Sequence, residues 1–187
     1  MSKARGKQNR LPVPVRRILT ASLAAALMVS AGSPSRAQPA PIKVAVFEFE
    51  LDDRSAGGGV IALDAVDTEN LKLSAEEVRR LLAASGRYSI VDAGSAAGDV
   101  AAAGGIQRCN GCEAALAGKM GADQSMAGII TRVNRVEFTL QISVRDSRTG
   151  AVVSNLFTGL RMGANYAWPR GARSLINDRI LSPTQPQ

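Results

Sequence analysis

Residues 136–145 read Val-Glu-Phe-Thr-Leu-Gln-Ile-Ser-Val-Arg, an unbroken alternation of apolar and polar side chains. Val136, Phe138, Leu140, Ile142 and Val144 fall on one side of an extended chain, with Glu137, Thr139, Gln141, Ser143 and Arg145 on the other. Such a strand has one face in a core and one in water, as antiparallel sheets do. Turn chemistry bounds it on both sides. Asn134-Arg135 makes a hairpin turn after Gln124 to Val133, a strand apolar on both faces. Asp146-Ser147-Arg148-Thr149-Gly150 has Asp at its start and Gly where positive φ is needed, and leads into a further strand, Ala151 to Leu160. Three consecutive strands therefore form an antiparallel meander.

Upstream, Ile42 to Leu51 reads as one strand that turns acidic at Glu48, Glu50 and Asp52. Residues 52–70, with Gly57-Gly58-Gly59, read as a long loop. Ser74-Ala75-Glu76-Glu77 is a capping-box pattern that starts a helix, with Val78, Leu81, Leu82 and Ser85 inward, Glu76 and Arg80 as an outward pair, and Gly86 at its end. A strand from Arg87 to Asp92 follows. Residues 93–108 are rich in Ala and Gly without a strong period, a loop with at most a short helix. Glu113 to Met120 reads as a second helix stopped by Gly121. Asn165 to Pro169 is a loop with the only Trp, and Gly171 to Leu181 is a closing helix with Ala172, Leu175, Ile176 and Ile180 inward. The fold expected is α/β (α+β): a single mixed sheet of about five strands with a C-terminal antiparallel meander and about three helices.

The N-terminus reads differently. Residues 1–17 carry six basic residues and no acid and run into an apolar segment, Ile18 to Val29. That is a signal-peptide pattern, since a membrane-crossing helix needs roughly 20 apolar residues. Ser35 and Ala37 are small at the spacing a signal peptidase requires, so cleavage is expected after Ala37. The flanks of Arg16-Arg17 match a twin-arginine signal poorly. The organisation expected is a signal peptide over 1–37, a linker over 38–41, one domain over 42–182 and a tail over 183–187, in the periplasm.

The formal charge of +7 belongs to the leader: it holds seven of the 23 basic residues, leaving 16 against 16 acidic ones. A neutral domain lacks the electrostatic footprint of a nucleic-acid or anionic-membrane binder. No stable membrane insertion is expected. The sequence has no histidine, which removes the commonest general base and metal ligand.

The segments IKVAVFEFE, ASGRYSIVD, KMGADQSMAGIITRV and SVRDSRTGAVV occur in the order strand, helix, strand, helix and meander. This pattern resembles the amino-terminal domains of TolB and the CsgG-like domains. It resembles more nearly a secreted family of unknown function with a CNGC-type segment. The resemblance implies an envelope-protein interaction module with no shared catalytic residues.

Cys109-Asn110-Gly111-Cys112 is the one motif with intrinsic chemistry. Export makes a disulfide across the Asn-Gly turn the default. A thiol–disulfide exchange role is the main alternative. Glu113 stands where c-type haem attachment needs His, and a zinc site needs two further ligands. Glu48, Glu50, Asp52, Asp53, Asp64, Asp67 and Glu69 could bind a hard cation but match no EF-hand spacing. Gly57-Gly58-Gly59 lacks the Lys-Ser/Thr of a phosphate loop. Trp168 is a ligand-stacking residue or a packing anchor. The functional expectation is a non-enzymatic periplasmic binding or adaptor domain that acts through a sheet edge or the 52–70 loop on an envelope or secreted protein. Its alternatives are a thiol–disulfide protein using Cys109 and Cys112, or a cation binder using the acidic 48–69 segment. No catalytic residue, cofactor or resident metal is expected.

Overall fold

Ile42-Lys43-Val44-Ala45-Val46 forms the central strand, β1 (Ile42–Val46), because its apolar residues can be buried on both faces. In the computed structural model, which describes residues 39–60, 62–161 and 167–182, Val44, Ala45 and Val46 are fully buried. These residues lie in the unit Gln38–Gln187. The expected leader and the expected cleavage after Ala37, together with the expected tail 183–187, lie outside the described residues. Parallel neighbours flank β1: β3 (Tyr88–Val91) and β4 (Gln124–Arg132). Next come the antiparallel strands β5 (Glu137–Asp146) and β6 (Val152–Arg161), giving the order β3-β1-β4-β5-β6.

The strand expected over Ile42 to Leu51 is two strands. β2 (Glu50–Asp53) also pairs with β4, but Phe47 to Phe49 oppose only Ala127 and Gly128 between the Val46–Met126 and Glu50–Ile129 pairs. One extra residue reverses which face each side chain takes. Phe47 joins the core on one face with Ala45, while Phe49 joins Val44 and Val46 on the other. Among the described residues the sheet therefore has six strands.

Helices α1 (Ala65–Ala84) and α4 (Trp168–Ile176) cover one face. They bury Val78, Leu82, Leu175 and Ile176 against Val44, Met126, Leu140 and Ile142. Trp168 packs edge-on to Phe138 at 5.3 Å, so it anchors the core at the start of α4 and is not in a loop. The helix continues as a π-helical turn, Asn177–Leu181. On the other face, a 3-10 turn at Gly94–Ala96 and α2 (Ala97–Ala102) precede α3 (Cys112–Lys119). α2 raises the number of α-helices among the described residues to four. No helix among the described residues is long and apolar enough to cross a membrane.

The capping box at Ser74 is overruled. α1 begins ten residues earlier, where the Asp64 side chain accepts from the Asp67 amide. Ser74 is buried mid-helix, its hydroxyl donating to the Asn70 carbonyl at 2.7 Å. Leu71 extends the inner stripe of Ala75, Val78 and Leu82 backward, so residues 65–70 of the supposed loop are helix. Arg80 pairs with Glu77 rather than with Glu76, which faces Lys72. In β5, Phe138, Leu140, Ile142 and Val144 are buried as the alternation requires, whereas Val136 precedes the strand and is exposed.

Candidate functional site

On the face carrying α2 and α3, the cover is incomplete. Ile106, Leu116 and Ala117 pack over Ala45, Phe47 and Ala127. Farther along the same face, the register sets Gln141 beside Phe157 and Ser143 beside Asn155. The Gln141 amide donates to Asn155 Oδ1 at 3.0 Å. Phe157 is 64% exposed and Val153 55%. A groove of about 420 Å³ runs between these strands and the 105–112 loop, with Gln141, Thr131 and Asn155 as its floor and Arg108 and Asn110 as its wall.

The wall is fixed at both ends. At its start, the Glu50 carboxylate accepts from the amides of Ile106 at 2.6 Å and Gln107 at 3.2 Å, and the Gln107 side chain donates to the Leu51 carbonyl. Gly105, at φ +96°, allows the approach, since a Cβ there would lie 2.9 Å from Glu50 Oε2. At its end, Cys109 and Cys112 are joined by a disulfide across Asn110 and Gly111, at φ 48° and 99°. Asn and Gly are the residues that most readily take this left-handed conformation. α3 starts at Cys112, and its Glu113 is buried, accepting from Arg145 Nε of β5 at 3.0 Å. Arg145 also donates to the Gly150 carbonyl, tying the β5–β6 turn to the same knot.

The acidic segment disperses. Glu48 pairs with Arg79, Glu50 holds the loop amides, Asp52 pairs with Arg54, and Asp64 caps α1. Asp53 and Asp67 both pair with Arg132, which also stands 5.7 Å from the Phe138 ring centre. Hydrogen bonding from Ser55, and then Arg132, holds the Asp53 carboxyl below its usual range. Glu69 is exposed on α1. Among the described residues, the group of potential ligand atoms close enough to share an ion is Cys109, Cys112 and Glu113, within 4.8 Å of one another. The disulfide occupies both of its sulfurs. A separate cavity of about 300 Å³ lies at the carboxyl end of β1, walled by Phe47, Val100 and Ile106 with Arg79 and Glu48 at its rim. Arg79 is committed there to Glu48 and to the Val46 carbonyl.

A family model described as "Protein of unknown function (DUF2380)", DUF3280, matches residues 42–180. The chain belongs to this family. No curated protein matches the sequence. Among solved structures, it is similar to lipoprotein GNA1162 from Neisseria meningitidis, at 14% identity and TM-score 0.49 over 77% of this chain and 100% of that one. It is similar also to the LpoB C-terminal domain from Salmonella enterica, at 14% identity and TM-score 0.45 over 68% and 87% of the two chains. A third is TolB from Acinetobacter baumannii, at 14% identity and TM-score 0.41, over 75% of this chain and 28% of that one.

Sequence reading finds the Cys pair but misses Glu50, Glu113 and Arg145 as the residues that hold the loop. Glu50 meets Ile106 across 56 positions, and Arg145 meets Glu113 across 32. Their one local signal is a charged residue beside a run destined for burial: Glu50 after Phe49, and Glu113 ahead of Ala114, Leu116 and Ala117.

Proposed function

We propose that the protein is an exported, non-enzymatic binding domain that works in the periplasm after cleavage at Ala37 and holds an envelope or secreted protein against the bare part of its sheet. The observation that carries this reading is the groove between the fixed 105–112 loop and the floor made by Gln141, Thr131 and Asn155. A floor of amide and hydroxyl side chains, with Phe157 exposed farther along β6, suits a polypeptide segment, which brings both main-chain polar groups and apolar side chains. The acidic groups nearby are spent on structure, Glu113 on Arg145 and Glu50 on the loop amides, while the Arg108 guanidinium stands on the wall. That arrangement supports a scaffold rather than a proton-transfer centre.

The test is a photo-crosslinking side chain at Gln141 in the exporting cell, with the same probe at Glu69 on α1 as comparison. The Gln141 probe is expected to capture an envelope or secreted protein, with capture lost on Arg108→Glu and absent from Glu69. No adduct, or an adduct only to a second copy of the chain, would overturn the reading.

A further inference from the structure

The two edges of the sheet are built differently. β3, at one end, is four residues long, bounded by Arg87 and Asp92, and Arg87 donates to the carbonyls of Ile180 and Leu181 at 3.0 and 3.3 Å. Short, charge-flanked edges of this kind resist pairing with another strand. β6, at the other end, is ten residues long. Its residues 152–160, Val-Val-Ser-Asn-Leu-Phe-Thr-Gly-Leu, contain no charge and no proline.

The direction of its main-chain groups follows from the meander. The Glu137 carbonyl accepts from the Val133 amide at 3.0 Å, so the odd-numbered residues of β5 bond toward β4 and the even-numbered ones toward β6. Their partners Ser154, Leu156, Thr158 and Leu160 are thereby used. Asn155, Phe157 and Gly159 turn amide and carbonyl outward, and among the described residues no other strand takes them up, the Gly159 carbonyl accepting only from the Thr158 hydroxyl at 3.4 Å.

We infer that β6 pairs antiparallel with β6 of a second copy about a two-fold axis near Leu156, joining the two sheets into one. A two-fold contact sets a surface against itself, so any charge near the axis would face its own like charge. β6 has none there. With Leu156 on the axis, each Leu156 meets its symmetry mate, Asn155 of one copy meets Phe157 of the other, and Ser154 meets Thr158. Neither copy buries a charge or opposes like charges. A partner with another sequence would match the hydrogen bonds equally but would not explain a strand uncharged over its full central length. The edge uses the main-chain groups of Asn155 and Phe157 while the groove floor uses the Asn155 side chain, so the two readings share that residue and are told apart by whether a second copy or a different protein is found there.

The measurement is the mass in solution of the exported protein over a concentration series, with amide hydrogen exchange on the same samples. The expected mass is twice that of the chain, with amides of Asn155 and Phe157 that become slower to exchange as concentration rises. Asn155→Pro removes an outward donor and no bond to β5, and Phe157→Lys places like charges near the axis. Both are expected to yield monomers that melt cooperatively, while Val66→Lys, at an exposed site on α1, remains dimeric. A monomeric parent at every concentration, a dimer that survives both β6 substitutions, or a dimer whose Asn155 and Phe157 amides exchange freely would overturn the inference.

Discussion

The Phe49 ring lies directly on the α-carbon of Gly128: a Cβ at Gly128 would stand 2.5 Å from Cε1, Cε2 and Cζ of that ring. The extra residue between β1 and β2 turns Phe49 toward the main core, and only a hydrogen at position 128 leaves room beneath it. Gly128→Ala should therefore destabilise the domain by about 1–3 kcal/mol, the usual cost of overpacking. Gly98→Ala, in α2 where nothing lies within 4 Å of the new carbon, should instead gain up to about 1 kcal/mol from helix propensity. Urea unfolding of the two variants distinguishes them, and equal effects would mean that Phe49 is not seated there.

The start of α1 gives a second test. Asp64→Ala removes the side chain that accepts from the Asp67 amide and should cost about 1 kcal/mol. Ser74→Ala removes a hydroxyl that donates to a carbonyl already inside the helix, and should be close to neutral. If Ser74 were the cap, the order of the two melting temperatures would reverse.

Glu77 joins α1 to α4. Its carboxylate accepts from Arg80 at 2.8 Å and from Arg173 at 2.6 Å. Hydrogen bonding from Arg80, and then from Arg173, outweighs burial and lowers its pKa from the ordinary 4.5 to about 2. A pKa depressed on folding adds stability that is complete above the unfolded value and is lost as pH falls from about 4.5 through about 2. Because both guanidinium groups are more than half exposed, the contribution is about 1–2 kcal/mol after screening. Glu77→Gln should flatten this part of the stability curve, and melts taken across the interval would show it. An unchanged acid limb would mean that the bridge contributes nothing.

Ile142 and Gln141 are adjacent but point to opposite faces, the first fully buried and the second in the groove. Ile142→Asp should unfold the domain, since an unpaired buried carboxylate costs several kcal/mol against a total of roughly 5–15. Gln141→Glu should be nearly silent in a thermal melt. Equal damage from both would refute the register of β5.

These contrasts show where the sequence is legible. Phe138 to Val144 can be read because alternation is a local signal and one face is in the core. Phe47 and Phe49 mislead, since two aromatics one residue apart imply a common face, and only pairing with Ala127 and Gly128 reveals the extra residue. The first turns of α1 are hidden behind a glycine run, and before Leu71 only Asp67 is buried, a charged residue that no hydrophobic period would mark. The site divides the same way: Cys109 and Cys112 are visible as spacing, while Glu50, Glu113 and Arg145 acquire their roles from partners distant in sequence.

The disulfide is the last point on which the binding and redox readings part. The bridge closes a very short loop, so Cys109→Ser with Cys112→Ser should cost on the order of 1–3 kcal/mol. Its chemical surroundings argue further. Glu113, buried and paired with Arg145, places Oε2 3.9 Å from Cys109 Sγ. A carboxylate so placed does nothing to stabilise a thiolate at Cys109, the reactive form in thiol–disulfide exchange. Exchange catalysts depend on the opposite, a stabilised thiolate that leaves readily. The parent protein should therefore show no insulin-reductase or thiol-oxidase activity and should keep its bridge in a glutathione buffer. Ready equilibration of the parent with glutathione would promote the thiol–disulfide role over the structural one.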